Sequence, residues 1–229
     1  MTAPADLEQA RFNMIEQQIR PWDVLDHAIL DLLAQVKREA FVPLAHRALA
    51  FVDMEIPLLG SEDEAMKRGH CMLAPRVEAR MLQDLQVKPS DKVLEIGAGS
   101  GYMAALLSHR AQRVISLEIN PELAQMARAN LQQAGIANVD VRVADGSQGL
   151  AGEAPFDVIL LSGSVAEVAA PLLAQLKVGG RLAAITGEDP VMRFTLITRT
   201  GDTTYTTAQP WDTLAPRLAN FPEPSRFNF

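Results

Sequence analysis

The residues best placed to do chemistry in this chain are three carboxylates, each at or near the end of an apolar run. Glu95 stands two residues before Gly97 in VLEIGAGSGY, whose glycines at 97, 99 and 101 come at single-residue spacing. Glu118 ends the next apolar run, VISLE, and Asp145 with Gly146 follows VDVRVA. Glycines where a strand turns into a helix let the backbone approach a ligand closely and adopt positive φ. A carboxylate just before that turn can meet a cationic group. One at the end of the next strand can accept from both hydroxyls of a ribose. Asp145 can accept from an adenine amino group, and Gly146 leaves room for a flat base. Glu95, Gly97, Ala98, Gly99, Gly101, Glu118, Ile119, Asp145 and Gly146 are therefore the candidate binding residues for an adenosyl ligand.

Dinucleotide sites favour G-x-G-x-x-G, and a pyrophosphate prefers backbone N–H groups without carboxylates nearby. The spacing here differs and the site is acidic, so a cationic, phosphate-free nucleoside fits better than NAD. The Glu-x-Gly-x-Gly-x-Gly run resembles the first motif of S-adenosylmethionine (SAM)-dependent methyltransferases.

Other reactive groups are sparse. Cys71 is the only cysteine, so neither an internal disulfide nor a CxxC metal knuckle can form, which fits a reducing cytoplasm. His27, His46, His70 and His109 show no HxxxH or HExxH spacing, and no metal is expected. His70, with an unperturbed pKa of about 6.5, suits proton transfer. Ser162 and Ser164, after the run FDVILLS, are further hydroxyl candidates at the mouth of the pocket.

These groups need a scaffold, and the pattern supplies one. Strands are expected at Lys92–Ile96, Arg113–Ile119, Asp140–Ala144, Phe156–Ser162 and Arg181–Thr186, alternating with helices at 102–108, 121–133 and 165–176. That alternation predicts an α/β fold with a doubly wound, mostly parallel, Rossmann-like sheet. Phe194–Thr200 and Thr203–Ala208, flanking Gly201-Asp202, predict an antiparallel hairpin at the sheet edge. Upstream, helices are expected at 5–20 and from Asp23 to about Val36, then again from Pro75 to Leu85. The stretch 38–69 reads as irregular, with GSEDEAMKRG an exposed turn. The division expected is an amino-terminal helical, substrate-side extension (1–88), a core (89–210) and an extended tail (211–229).

Composition bounds the rest. At 229 residues with 48% hydrophobic content, the chain can bury a substantial core. Its formal net charge is −7 and no basic cluster accumulates, so a nucleic-acid partner is not expected. No run approaches the about 18 apolar residues of a membrane span, and the first residues do not read as a signal peptide. The pattern leaves the oligomeric state open.

Beyond the cofactor motif, the chain resembles the protein-L-isoaspartate O-methyltransferase family over about residues 10–200. The resemblance rests on MIEQQI, KREAFVP and RGHCMLAPRVEARML in the amino-terminal part, and on VLEIGAGSGYMAALLS, LEINPELA, ADGSQG, APFDVILLSG and LLAQLKVGGRL downstream. It implies a SAM-dependent transfer of methyl to a carboxylate of abnormal aspartyl residues in a protein or peptide substrate. Family members usually carry Gly-Gln-Thr-Ile-Ser-x-Pro beside the reacting carboxylate. Here the run is Gly69-His70-Cys71-Met72-Leu73-Ala74-Pro75, with Cys71 at the Thr position and Leu73 at the Ser position. His70, Cys71 and Leu73 are thus the acceptor-side candidates. The lost hydroxyls leave two alternatives open: the same chemistry on a small-molecule or other protein acceptor, or SAM binding without turnover. The tail WDTLAPRLANFPEPSRF differs from the usual family ending.

Overall fold

The computed structural model describes residues 4–223. Its centre is a seven-stranded sheet of order β5-β4-β3-β6-β7-β8-β9, built from β3 (Lys92–Ile96), β4 (Arg113–Glu118), β5 (Val139–Val143), β6 (Phe156–Val165), β7 (Leu176–Glu188), β8 (Val191–Arg199) and β9 (Tyr205–Asp212). The strands from β5 through β7 pair in parallel, and β7, β8 and β9 form an antiparallel meander. A separate two-residue ladder joins β1 (Ile56–Pro57) to β2 (Cys71–Met72). The chain leaves β3 toward β4 on one side and returns to β6 on the other. The crevice at the carboxyl ends of β3 and β6 is the topological switch point where ligands bind in open α/β sheets.

Alternation along the strands divides the core between two faces. Val93, Val114, Val158 and Leu160 pack with the amino-terminal helices in one cluster, while Leu94, Ile96, Ile115, Ile159 and Leu161 pack in the other. The first face is covered by α1 (Pro4–Met14), α2 (His27–Gln35), α4 (Pro75–Leu85), α5 (Tyr102–Ser108) and α6 (Pro121–Gln133). Every residue of α5 is buried, because the helix lies between the sheet and the amino-terminal layer, and its apolar sequence matches that position. Asn120 caps α6 by accepting from the N–H groups of Glu122 and Leu123, with Pro121 in the first turn.

Three expectations need correction. GSEDEAMKRG is no exposed turn: Ser61 opens α3 (Glu62–Arg68) with a capping box to Glu64, and Gly69 ends it at φ 69°. The helix expected over 165–176 is only α7 (Ala170–Ala174), since β6 runs on to Val165 and β7 begins at Leu176. Pro171, which lacks an N–H, can sit only in a first turn and so prevents a longer helix through that point. The first helix changes character at Ile15, where a π-helical turn (Ile15–Ile19) and a 3-10 turn (Arg20–Trp22) succeed α1. After β9 the described part of the tail has no helix and turns at Asn220, φ 64°; the rest of it lies outside the described residues.

Candidate active site

Of the expected binding residues, Gly97, Gly99, Glu118, Ile119, Asp145 and Gly146 line one cleft at the switch point, Ala98 lines a smaller pocket beside it, and Glu95 and Gly101 line neither. Glu95, on β3, is fully buried, and both its oxygens are engaged. Oε2 accepts from Ser116 Oγ at 2.6 Å and Oε1 from Ser162 Oγ at 2.9 Å. Ser116 is its cross-strand partner on β4, and Ser162 lies beyond the point where β6 pairs with β3. Burial pushes the Glu95 carboxyl up to about 8; the two serine hydroxyls oppose that rise, and Glu78 and Glu118 add to it. Ser116 is absent from the residues expected from sequence; its only signal there is a lone polar residue inside the apolar run VISLE.

Glu118 grips the glycine bend. Its Oε2 accepts from the Gly99 N–H at 2.9 Å and its Oε1 from the Asn120 N–H at 3.0 Å. Each carboxylate oxygen keeps a second acceptor site for a ligand hydroxyl. Gly97, Gly99 and Gly101 have φ of 97°, 52° and 83°, so the bend itself requires residues without a Cβ. Ile119, just beyond the strand, is 43% exposed at the pocket edge, an apolar surface suited to a flat base. Asp145 is exposed. Its Oδ1 accepts from the Ser147 N–H at 2.8 Å and its Oδ2 from Asn220 Nδ2 at 2.8 Å. The Ser147 N–H is the main reason its carboxyl is held below its ordinary value. A Cβ on Gly146 would run into the side chain of Ile96, so this wall of the slot admits glycine alone.

A cleft of about 90 Å³ at the glycine bend is lined by Gly97, Gly99, Glu118, Ile119, Asp145 and Gly146 among others. Its charged lining is two carboxylates, Glu118 and Asp145, and two guanidinium groups, Arg68 and Arg217, with His70 and Ser162 beside them. Among the described residues no cluster of three or more His, Cys, Asp or Glu could hold a metal ion.

Next to it lies a smaller pocket of about 20 Å³, lined by Cys71, Met72, Leu73, Tyr102, Met103 and Ser162 among others. The 70–73 segment is held from behind. The fully buried Arg38 donates to the Leu73 carbonyl at 2.7 Å and pairs with Glu78, and its guanidinium lies 5.1 Å from the Tyr102 ring centroid. Leu73 is 5% exposed, so it closes this pocket with hydrocarbon. Burial, with Glu55 as a second cause, pushes the Cys71 thiol up to about 12, so it stays protonated. His70 lines the larger cleft rather than the smaller one; its N–H donates to the Ala65 carbonyl and its own carbonyl accepts from Leu58. Of the two serines, Ser162 borders both pockets but gives its proton to Glu95. Ser164 is fully buried and donates to the Ala215 carbonyl at 2.8 Å, which takes it out of the acceptor pocket.

Fold and site together define a methyltransferase-type α/β domain with a nucleoside crevice at the glycine bend. A family model described as protein-L-isoaspartate(D-aspartate) O-methyltransferase matches residues 9–212. A protein-L-isoaspartate O-methyltransferase of Roseiflexus castenholzii is 40% identical over 201 residues, 88% of each chain. One of Koribacter versatilis is 39% identical over 181 residues, 79% of this chain and 77% of its own length. Among solved structures, a Plasmodium falciparum protein assigned to the same methyltransferase type, in complex with S-adenosyl-L-homocysteine (SAH), superposes with a TM-score of 0.74 at 18% identity. The match covers 90% of this chain and 96% of the other, and attests the fold. The chain belongs to the protein-L-isoaspartate O-methyltransferase family.

Proposed function

We propose that this chain moves a methyl group from SAM to the side-chain or main-chain carboxylate of isoaspartyl and related abnormal aspartyl residues in proteins. The observation that carries the reading is a positive-φ glycine bend with Glu118 and Asp145 lining its cleft and Glu95 buried at the end of β3, next to a second pocket beside Gly97 and Ser162. In this reading Glu95 faces the ammonium end of the cofactor, Glu118 accepts from the ribose hydroxyls, and Asp145 accepts from the adenine amino group. Ile119 and Gly146 flank the base. Bound SAM supplies an electrophilic methyl on a sulfonium.

The protein's task is then positional. A carboxylate acceptor is ionised at pH 7 and needs no general base. What is required is a collinear approach and the exclusion of water. Leu73 and Met72, both buried, supply a dry wall, and Arg38 fixes that wall through the Leu73 carbonyl. In this reading the 1–88 extension shapes the acceptor side and 89–210 the cofactor side, with the described part of the 211–229 tail as a cover. We place the chain in the cytoplasm on its single free thiol, with neither nucleic acid nor membrane as partner. Among the described residues no helix is long and apolar enough to cross a membrane.

A second reading is favoured by one observation. With Leu73 buried, the Cys71 thiol protonated and Ser162 committed to Glu95, the acceptor wall offers fewer free hydroxyl donors than the family run would. That suits an acceptor less polar than an isoaspartyl peptide. The test is incubation with methyl-labelled SAM and paired peptides, one with isoaspartate and one with ordinary aspartate. Base-labile label on the first alone is the expected result. SAH binding without label on either peptide would refute the first reading and leave another acceptor or cofactor binding without turnover.

A further inference from the structure

We propose that residues 215–221 form the roof of the nucleoside slot and set how fast bound SAM or SAH leaves it. The inference rests on the proposed cofactor site. The family model ends at residue 212, so this cover is an addition outside the matched region.

The segment is fastened along its length. Ser164, at the end of β6, donates its N–H to the Pro216 carbonyl at 2.7 Å, and its carbonyl accepts from the Leu218 N–H at 2.9 Å. Its hydroxyl reaches the Ala215 carbonyl, and a parallel bridge pairs it with Arg217. Ser164 keeps its pairing with Ile185 of β7 on one edge, and its other edge is open to the tail because β3 stops pairing with β6 at Leu161. Arg217 Nη1 donates to the Gly187 carbonyl at 3.0 Å. Asn220, at φ 64°, hands its amide to Asp145, and Phe221 is buried in the core cluster that holds Ile96 and Leu117.

The floor is cut to match. A Cβ on Gly163 would lie 2.8 Å from the Leu218 side chain, and one on Gly97 would lie 3.0 Å from it. The first glycine of the cofactor bend is therefore in contact with the tail as well as with the ligand slot. Arg217, Leu218, Ala219 and Phe221 line the same cleft as Glu118 and Asp145. Asn220 takes one acceptor site of Asp145 and leaves others for an adenine amino group. An enclosed ligand can leave only after Ser164, Asp145 and Gly187 release the segment.

The test uses the full chain and SAH, comparing the parent with Asn220→Ala, Leu218→Ala and the double variant by surface plasmon resonance. Loss of one hydrogen bond predicts about fivefold faster release for Asn220→Ala. The double variant should release tens of times faster, with weaker equilibrium binding. In the parent, SAH should slow hydrogen exchange at the Ser164 and Leu218 amides. Unchanged release in the variants would overturn the roof while leaving the cofactor reading standing. Tighter SAH binding by the variants, with faster amide exchange in the parent on adding SAH, would overturn it by making the tail a competitor. Failure of the parent to bind SAH would remove the cofactor reading and the roof with it.

Discussion

Replacing Glu95 with Gln keeps the shape of the pocket floor and removes one titrating group. Both Glu95 oxygens face serine hydroxyls, and a Gln amide can serve the same two partners, because a serine hydroxyl both donates and accepts. The carboxyl is pushed from an ordinary value of 4.5 up to about 8, mainly by burial. Between those values the folded chain keeps a proton that the unfolded chain has lost. Stability therefore falls as pH rises through that window and is level above it. At about 1.4 kcal/mol per unit, the ionised Glu95 costs the fold up to ~5 kcal/mol by pH 8.5. Urea unfolding of parent and Glu95→Gln from pH 5 to 8.5 reads this directly. The two should be similarly stable at pH 5, with the parent weaker by several kcal/mol at pH 8.5. A bound cationic ligand reverses the sign for the parent alone: at pH 7 SAH should expel a proton from Glu95, seen as a buffer-dependent calorimetric heat that the variant lacks. Parallel stability curves for the two proteins would refute the argument that burial dominates at this position.

The same geometry sets three further outcomes. Glu118→Gln turns an amide toward the Gly99 or Asn120 N–H and loses a charged acceptor, so SAH affinity should fall by ~2–4 kcal/mol, or about 30- to 1,000-fold, in a calorimetric titration. Ser162→Ala deletes a hydrogen bond that holds the Glu95 carboxyl down, so the pH midpoint of the stability loss should move upward relative to the unsubstituted chain in the same urea series. Leu73→Ser places a hydroxyl on the acceptor wall. It should raise kcat/KM for an isoaspartyl peptide about tenfold while costing ~3 kcal/mol of stability, because a buried leucine is lost; an unchanged kcat/KM would show that residue 73 faces away from the acceptor.

The parallel core is legible in the sequence because strands buried on both faces carry continuous apolar runs, as in VLEI, VISLE and FDVILLS. The glycine bend is legible because positive φ at Gly97, Gly99 and Gly101 leaves few other residue types possible. Helix α3 escapes a sequence reading because its charges look solvent-facing and only Ala65 is buried, although Ser61 and Glu64 carry the capping-box spacing. The 165–176 helix is over-read because VAEVAAPLLAQL has helical periodicity, while Val165 is drawn into β6 by pairing with Thr186 and Pro171 confines α7 to a short turn. The roles of Ser116 and Ser164 are not readable from local sequence. Their partners, Glu95 and Ala215, are brought to them by strand register and by the return of the tail.

The central claim is a slot built for a cationic, phosphate-free nucleoside. Calorimetric titration of the full chain at pH 7.5 with SAH, and separately with NAD, measures that directly. Saturable one-to-one binding of SAH that competes with SAM, and no heat of binding for NAD, is the predicted result. Saturable NAD binding together with no response to SAH would contradict it.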